Sequence, residues 1–230
     1  MTPARPVDLG AIVRTFEAIP ELKAAGALAG ATALHHEYLE NQMGRYSFDI
    51  DLQNQSEDME TIHRRFSAAA KKKLTLVSRL SDEFYEYQIR MGREVVRVEI
   101  SRPYLHHRKQ YRPSKHVEGL LVVSLPDLLF AKVSAFSTRG LPRDLIDLFA
   151  AHQQMKIDWH KLLIQATRAK DNDYNPKEFH GRLDQHRHEC SGAGYWEELP
   201  VTNPPAISAL KLFLEELSSV NQKTAQATLE

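Results

Sequence analysis

Two aspartates separated by one residue, Asp49 and Asp51, have the type and spacing that bear most directly on chemistry. Alternate side chains leave the same face of a strand, so both carboxylates project side by side and can share one hard divalent ion. Phosphoryl or nucleotidyl transfer asks for that arrangement. It needs little covalent help from the protein, but it needs a divalent ion to offset phosphate charge and an attacking oxygen placed in line. An Asp-x-Asp also occurs on solvated strands, so the pair gains meaning from its company. Glu99 is a third carboxylate in matching phase, as metal ligand or as base for an incoming hydroxyl; the alternative is a surface Glu paired with Arg97. Gly30-Ala31-Thr32 offers backbone N–H groups and a hydroxyl at the start of a helix, which suits a phosphate. Lys132 and Arg139 lie seven apart on one helix face, and a cation pair directed at an acidic site makes sense with polyphosphate between them.

Periodicity supplies the elements that would hold these groups. Residues 16–34 read as helix in two halves, broken near Pro20 and Gly30, leading into an extended segment over 45–52. There Tyr46, Phe48, Ile50 and Leu52 share one face, while Arg45, Ser47, Asp49 and Asp51 share the other. A helix over 59–70 precedes strands over 74–80, 83–89 and 94–100, with Met91-Gly92-Arg93 turning the last pair. In the third strand Val96, Val98 and Ile100 point one way, and Arg97 and Glu99 the other.

The second half turns helical. Ser124 caps a helix running to Arg139, with Pro126 in its first turn and Asp127 at the capping-box position. Pro142 opens the next helix, where Leu145, Leu148, Phe149 and His152 form a buried stripe and Asp144 and Asp147 share a neighbouring face. The plain account of those two acids is attraction to the helix dipole. The stretch 190–205 is the nearest thing to a linker. Leu210, Phe213, Leu214 and Leu217 mark a last helix, with a frayed polar tail over 222–230.

Composition sets the outer limits. In 230 residues, 42% hydrophobic and 26% charged, the chain has the make-up of a globular protein and excludes a disordered or fibrous one. A lone cysteine, Cys190, permits no internal disulfide and fits a cytoplasmic location. Residues 1–20 lack an apolar core behind a basic start, and the apolar run 119–136 is broken by Pro126, Asp127 and Lys132, so neither export nor membrane insertion is expected. The formal net charge is zero, so any grip on nucleic acid must be local. Arg102, Arg108, Lys109, Arg112 and Lys115, interleaved with Tyr104, Tyr111 and histidines, could form such a patch, with a solvated basic loop as the alternative. Lys71, Lys72 and Lys73 fit a solvated helix end. His180, His186, His188 and Cys190 lack the paired spacing of structural zinc sites, and Trp159 and Trp196 fit packing roles.

Two stretches carry a family resemblance. The first joins Leu28-Ala29-Gly30-Ala31-Thr32-Ala33-Leu34 to Arg45-Tyr46-Ser47-Phe48-Asp49-Ile50-Asp51-Leu52; the second joins Asp127-Leu128-Leu129-Phe130-Ala131-Lys132, Arg139 and Arg143-Asp144-Leu145-Ile146-Asp147-Leu148. Together, and in this order, they resemble the AbiEii/AbiGii (MenT-like) nucleotidyltransferase toxins, members of the polymerase-beta-like nucleotidyltransferase superfamily. The likeness covers roughly 22–149, with Val98-Glu99-Ile100 where the family has its third acidic strand. One departure is Ala31, where the family usually has a second glycine.

The resemblance implies an α/β (α+β) nucleotidyltransferase fold: a mixed-sheet domain over 1–122 and a helical domain over 123–230, with the site in a cleft between them. It implies that Asp49, Asp51 and Glu99 bind Mg2+, or Mn2+ in its place. Gly30, Thr32, Ser47, Lys132 and Arg139 would meet the nucleotide, and Asp144 would orient Lys132 or the nucleotide. The expected activity is transfer of a nucleoside monophosphate from an NTP to an acceptor, tRNA being favoured, with release of pyrophosphate, in a toxin held by a cognate antitoxin. The alternatives are a protein or small-molecule acceptor, or a non-catalytic RNA-binding or antitoxin-like module that keeps the fold.

Overall fold

The computed structural model describes residues 8–40, 43–54, 58–70, 73–102, 110–169, 173–192, 194–197, 199 and 201–227. The elements run α1 (Leu9–Ala18), α2 (Leu22–Ala25), β1 (Ala27–Leu28), α3 (Gly30–Ala33) continuing into a π-turn (Leu34–Tyr38), β2 (Asp49–Gln53), α4 (Met59–Ala70), β3 (Leu74–Ser81), β4 (Phe84–Met91), β5 (Glu94–Ser101), β6 (Tyr111–Pro113) and β7 (Leu121–Val123). Helices follow: α5 (Leu125–Arg139), α6 (Pro142–Gln154), α7 (Trp159–Arg168), α8 (Pro176–Glu189), α9 (Gly194–Glu197) and α10 (Ile207–Ala227). Two compact units result. One holds the residues up to Tyr38 and from Tyr46 to Leu128; the other holds Leu39–Arg45 and the residues from Leu129 onward.

The first unit is built on a mixed sheet of order β3-β4-β5-β2-β1-β7-β6. Residues 74–101 meander antiparallel because short turns join them, whereas β5 reaches β2, and β7 reaches β1, in parallel. Alternation decides the faces. Ile50, Leu52, Tyr85, Tyr87, Ile89, Val96, Val98 and Ile100 are all buried, and α4 covers part of this face with the Phe66 ring edge-on to Tyr87 at 4.5 Å. The intervening residues of β2, β4 and β5 are half-buried and polar, and they carry the candidate chemistry.

Several local expectations change. Strand β1, near the middle of the sheet, falls where a broken helix was expected; two buried residues, Ala27 and Leu28, are too few to show a period. Regular pairing of β2 begins at Asp49, so Phe48 lies outside the core at 38% exposure, with Tyr46 edge-on at 5.4 Å. Arg45, expected beside the aspartates, instead pairs with Asp147 of the helical unit.

Helix α5 begins in the sheet unit with a capped end: the Ser124 hydroxyl donates to Asp127 at 2.7 Å and accepts from its N–H at 3.4 Å. The helical unit takes up the chain from Leu129. Its core is formed by Phe136, Leu145, Leu148, Phe149, Leu163, Phe179, Leu183, Phe213, Leu214 and Leu217. The tail expected to fray continues as helix to Ala227, because Asn221 and Thr224 are buried and Thr224 bonds His160 at 3.1 Å. Trp159 packs near Phe213 and donates to His152, and Trp196 donates to the Cys190 carbonyl, so both indoles serve packing.

The corner between α5 and α6 turns at Gly140, whose φ of +59° is one that side chains resist. His186 of α8 secures it, with Nε2 2.9 Å from the Gly140 carbonyl and Nδ1 2.7 Å from the Tyr195 hydroxyl. Those partners suit a neutral ring that donates through Nε2 and accepts through Nδ1. Burial pushes the ring below the usual histidine range, against the opposing pull of the Gly140 carbonyl and Glu189. A depressed folded value means that the stabilisation is present above the unfolded value of about 6.5 and is lost as pH falls through the folded one. Urea unfolding of the wild type should therefore lose free energy between pH 7.5 and pH 5.0, and His186→Gln should show a shallower loss across the same window.

Candidate active site

Adjacent strands in register bring the carboxylates together. Asp49 pairs with Arg97 and Asp51 with Glu99 across β2 and β5; Gln88 pairs with Arg97 and Glu86 with Glu99 across β5 and β4. Two rows of side chains result, Gln88–Arg97–Asp49 and Glu86–Glu99–Asp51. Like charges directly opposite on neighbouring strands repel, so three carboxylates in one row cost stability unless a cation compensates. Oxygens of Asp49, Asp51 and Glu99 all lie within 4.8 Å of one another, and among the described residues this is the group of acids, histidines or cysteines close enough to hold a metal ion.

That donor set fits a hard ion. Ligand bonds of about 2.0–2.1 Å span at most about 4.2 Å between opposite oxygens, and the oxygens here lie within a comparable reach of one another. Three carboxylates on half-buried strand positions supply the all-oxygen donor set that magnesium or manganese takes. The histidines and cysteine discounted for zinc are engaged separately: His180 with Ser218 and Asp184, His186 with Tyr195 and Gly140, and the buried Cys190 with the Arg187 carbonyl.

Backbone and hydroxyl groups then set the aspartates in place. Gly30 adopts a φ of +64°, and a Cβ there would stand 1.7 Å from Asp51 Oδ2, so the carboxylate occupies the space a side chain would need. The Ala29 N–H donates to the Asp51 carbonyl at 2.9 Å, docking the turn on β2. Thr32, 1% exposed, donates to the Asp49 carbonyl at 2.9 Å, and Ser47 donates to Asp49 Oδ1 at 2.6 Å. Gly30, Thr32 and Ser47, expected at the nucleotide, are thus seen holding the two acids.

Arg97 pairs with Glu99, as the alternative reading of that acid had it, and also reaches two further carboxylates. Its Nη2 lies 2.5 Å from Asp49 Oδ2, its Nε 3.4 Å from Glu99 and its Nη1 3.9 Å from Glu86. Burial alone would lower its pKa, but the Asp49 hydrogen bond and the three carboxylates hold it above the usual arginine value. Its shared phase with Glu99 was the available signal. Arg112, expected to face RNA, donates instead to the Glu37 carbonyl at 2.6 Å and carboxylate at 3.2 Å and stacks on Tyr38 at 4.1 Å. Glu37, 2% exposed, also accepts from Ser114 and from the Lys115 N–H. Tyr104, Arg108, Lys109, Lys71 and Lys72 lie outside the described residues.

Within the helical unit, Lys132 and Arg139 share one side of α5 and both meet Asp144. Arg139 binds it through two nitrogens, each at 2.7 Å, and Lys132 at 3.5 Å. Asp147 takes Lys132 at 2.6 Å and Arg45 at 3.0 Å. Both acids are fully buried, Arg45 and Lys132 nearly so, while Arg139 is 44% exposed. Burial would push the Lys132 ammonium down, but Asp147 and then Asp144 outweigh it and hold it above the usual lysine range. Asp147 is therefore the closer partner of Lys132, although the sequence pointed to Asp144.

With this geometry in view, the class is a nucleotidyltransferase fold bearing a three-carboxylate site. The family described as "Nucleotidyl transferase AbiEii toxin, Type IV TA system" matches residues 14–218, and the chain belongs to it. Among solved structures, the crystal structure of JHP933 from Helicobacter pylori is similar in fold at a TM-score of 0.56 and 15% identity, over 96% of this chain and 95% of that one. No curated protein matches the chain. No helix among the described residues is long and apolar enough to cross a membrane.

Two outcomes follow. Gly30→Ala should cost about 1–2 kcal/mol through the left-handed backbone and, by displacing Asp51, weaken Mn2+ binding at least tenfold in calorimetry. Asp147→Ala should destabilise by roughly 3–5 kcal/mol in urea titration, because Lys132 and Arg45 are left buried without it.

Proposed function

We propose that this protein transfers a nucleoside monophosphate from an NTP to an acceptor, tRNA being the favoured one, with release of pyrophosphate. The observation that carries the reading is the convergence of Asp49, Asp51 and Glu99 oxygens on one face of the sheet, locked there by Gly30, Ser47 and Thr32. These three residues are assigned to Mg2+, or Mn2+, which when bound offsets charge on the triphosphate and on the pyrophosphate as it leaves.

The chain's own groups do the rest. Asp49 and Asp51 enter the reaction already oriented, so no ordering of flexible carboxylates is required at the moment of transfer. Glu99, beside them, serves as the third ligand or accepts the proton of the attacking hydroxyl. Lys132 and Arg139 are assigned to the polyphosphate, as the likeness of their motif to the family's implies. Asp144 orients both, since it already binds each of them. Family membership supports action as the toxin of a toxin–antitoxin pair, with a cognate antitoxin as partner, at work in the cytoplasm.

Incubation with each alpha-labelled triphosphate, magnesium and total tRNA tests the proposal. Label should appear in the RNA with wild type and fall at least about a thousandfold with Asp51→Ala, in line with loss of a principal charge-stabilising group. Equal labelling by the variant, or none by wild type with any triphosphate, would refute it. Label in protein or small molecules would move the acceptor away from RNA.

A further inference from the structure

The outward face of β4, β5 and β2 carries more negative charge than a single metal site explains. Glu86 stands opposite Glu99, and Glu99 stands opposite Asp51, with Asp49 diagonal to Glu99 and directly opposite Arg97. Against these four carboxylates, the guanidinium of Arg97 lies within 4 Å of three: Asp49, Glu99 and Glu86. Its shortest contact, 2.5 Å, is to Asp49 of β2, with Glu99 of its own strand at 3.4 Å and Glu86 of β4 at 3.9 Å, so it spans from β2 toward β4.

Phosphoryl and nucleotidyl transfer sites often hold two divalent ions about 3.5–4 Å apart, bridged by shared carboxylates. Asp49 has the two-sided position of such a bridge, but its Oδ2 accepts from Arg97 and its Oδ1 from Ser47. We propose that Arg97 is a built-in cation that takes the place of a second divalent ion, so that the site binds one metal per chain, between Asp49, Asp51 and Glu99. The inference rests on the reading above that these three residues hold a divalent ion. Its physical content is separate from that reading: a planar guanidinium contacts three carboxylates at once, has no need of hydration waters, and excludes an ion by both volume and charge.

Arg97 also has the geometry of a positioning residue. Together with Ser47 it fixes both oxygens of Asp49, so its loss should add an ion and loosen the acid at the same time.

The test is a titration of metal-stripped full-length protein with Mn2+, with free ion counted by electron paramagnetic resonance and heat followed by calorimetry. Wild type should bind one ion per chain. Arg97→Gln, which keeps polarity and removes charge, should bind two, whereas Arg97→Lys should return to one. The double variant Arg97→Gln with Glu86→Gln should also bind one, because the added ion would need Glu86. Two ions in the wild type, or one in Arg97→Gln at any affinity, overturns the inference and leaves the proposed function standing. No ion in the wild type overturns both. The wild-type count requires no variant to fold, and circular dichroism of each variant shows whether its count comes from a native chain.

Discussion

Placing Asp49, Asp51, Glu99 and Glu86 on neighbouring positions of three paired strands opposes folding, since each carboxylate is half-buried and has another beside it. The surrounding structure is organised around making that cluster tolerable. Arg97 neutralises part of it, Ser47 satisfies one oxygen of Asp49, and the Gly30 turn leaves room for Asp51 against the backbone. On the opposite face the same strands bury Ile50, Val98, Ile100 and Tyr87, and the apolar burial there offsets the electrostatic cost. A site of this kind is pre-organised because the sheet, not the ligand, sets the distances between acids.

The helical unit solves a related problem with opposite sign. Arg45, Lys132 and Arg139 gather around Asp144 and Asp147, three cations on two fully buried acids. A buried ion pair gains little over apolar packing, but removing one partner is severe, which makes such clusters hard to lose once formed. The bidentate pairing of Arg139 with Asp144 fixes the end of α5 against the start of α6, and His186 holds the Gly140 corner that joins those helices. Charge placement and chain geometry are thus fixed by the same few contacts.

Glu37 draws part of the basic segment into the fold. A segment rich in arginine and histidine suggested a surface for RNA, yet Arg112 and Ser114 converge with the Lys115 N–H on one buried carboxylate. The π-turn that carries Glu37 lies directly after the Gly30 helix, so these bonds tie β6 to the segment that packs against Asp51. Here basic residues support the acidic site from within the fold.

Much of the site could be read from the chain alone wherever a period was long enough to declare itself. Alternation over β2 and β5 placed Asp49, Asp51, Arg97 and Glu99 outward and Ile50, Val98 and Ile100 inward. The capping signals at Ser124 and Pro142 located α5 and α6, and the two motifs together identified the family. Contacts between residues distant in sequence were not legible. A two-residue strand such as β1 has no period, a salt link such as Arg45 to Asp147 spans 102 residues, and the choice of Lys132 between two acids depends on how helices pack. Local pattern records which face a side chain leaves by, because backbone geometry imposes that on each residue separately. Which partner it meets there is settled only when strands pair and helices dock, and for that reason Arg97, weighed from the sequence only against Glu99, is seen to meet Asp49 and Glu86 as well only in three dimensions.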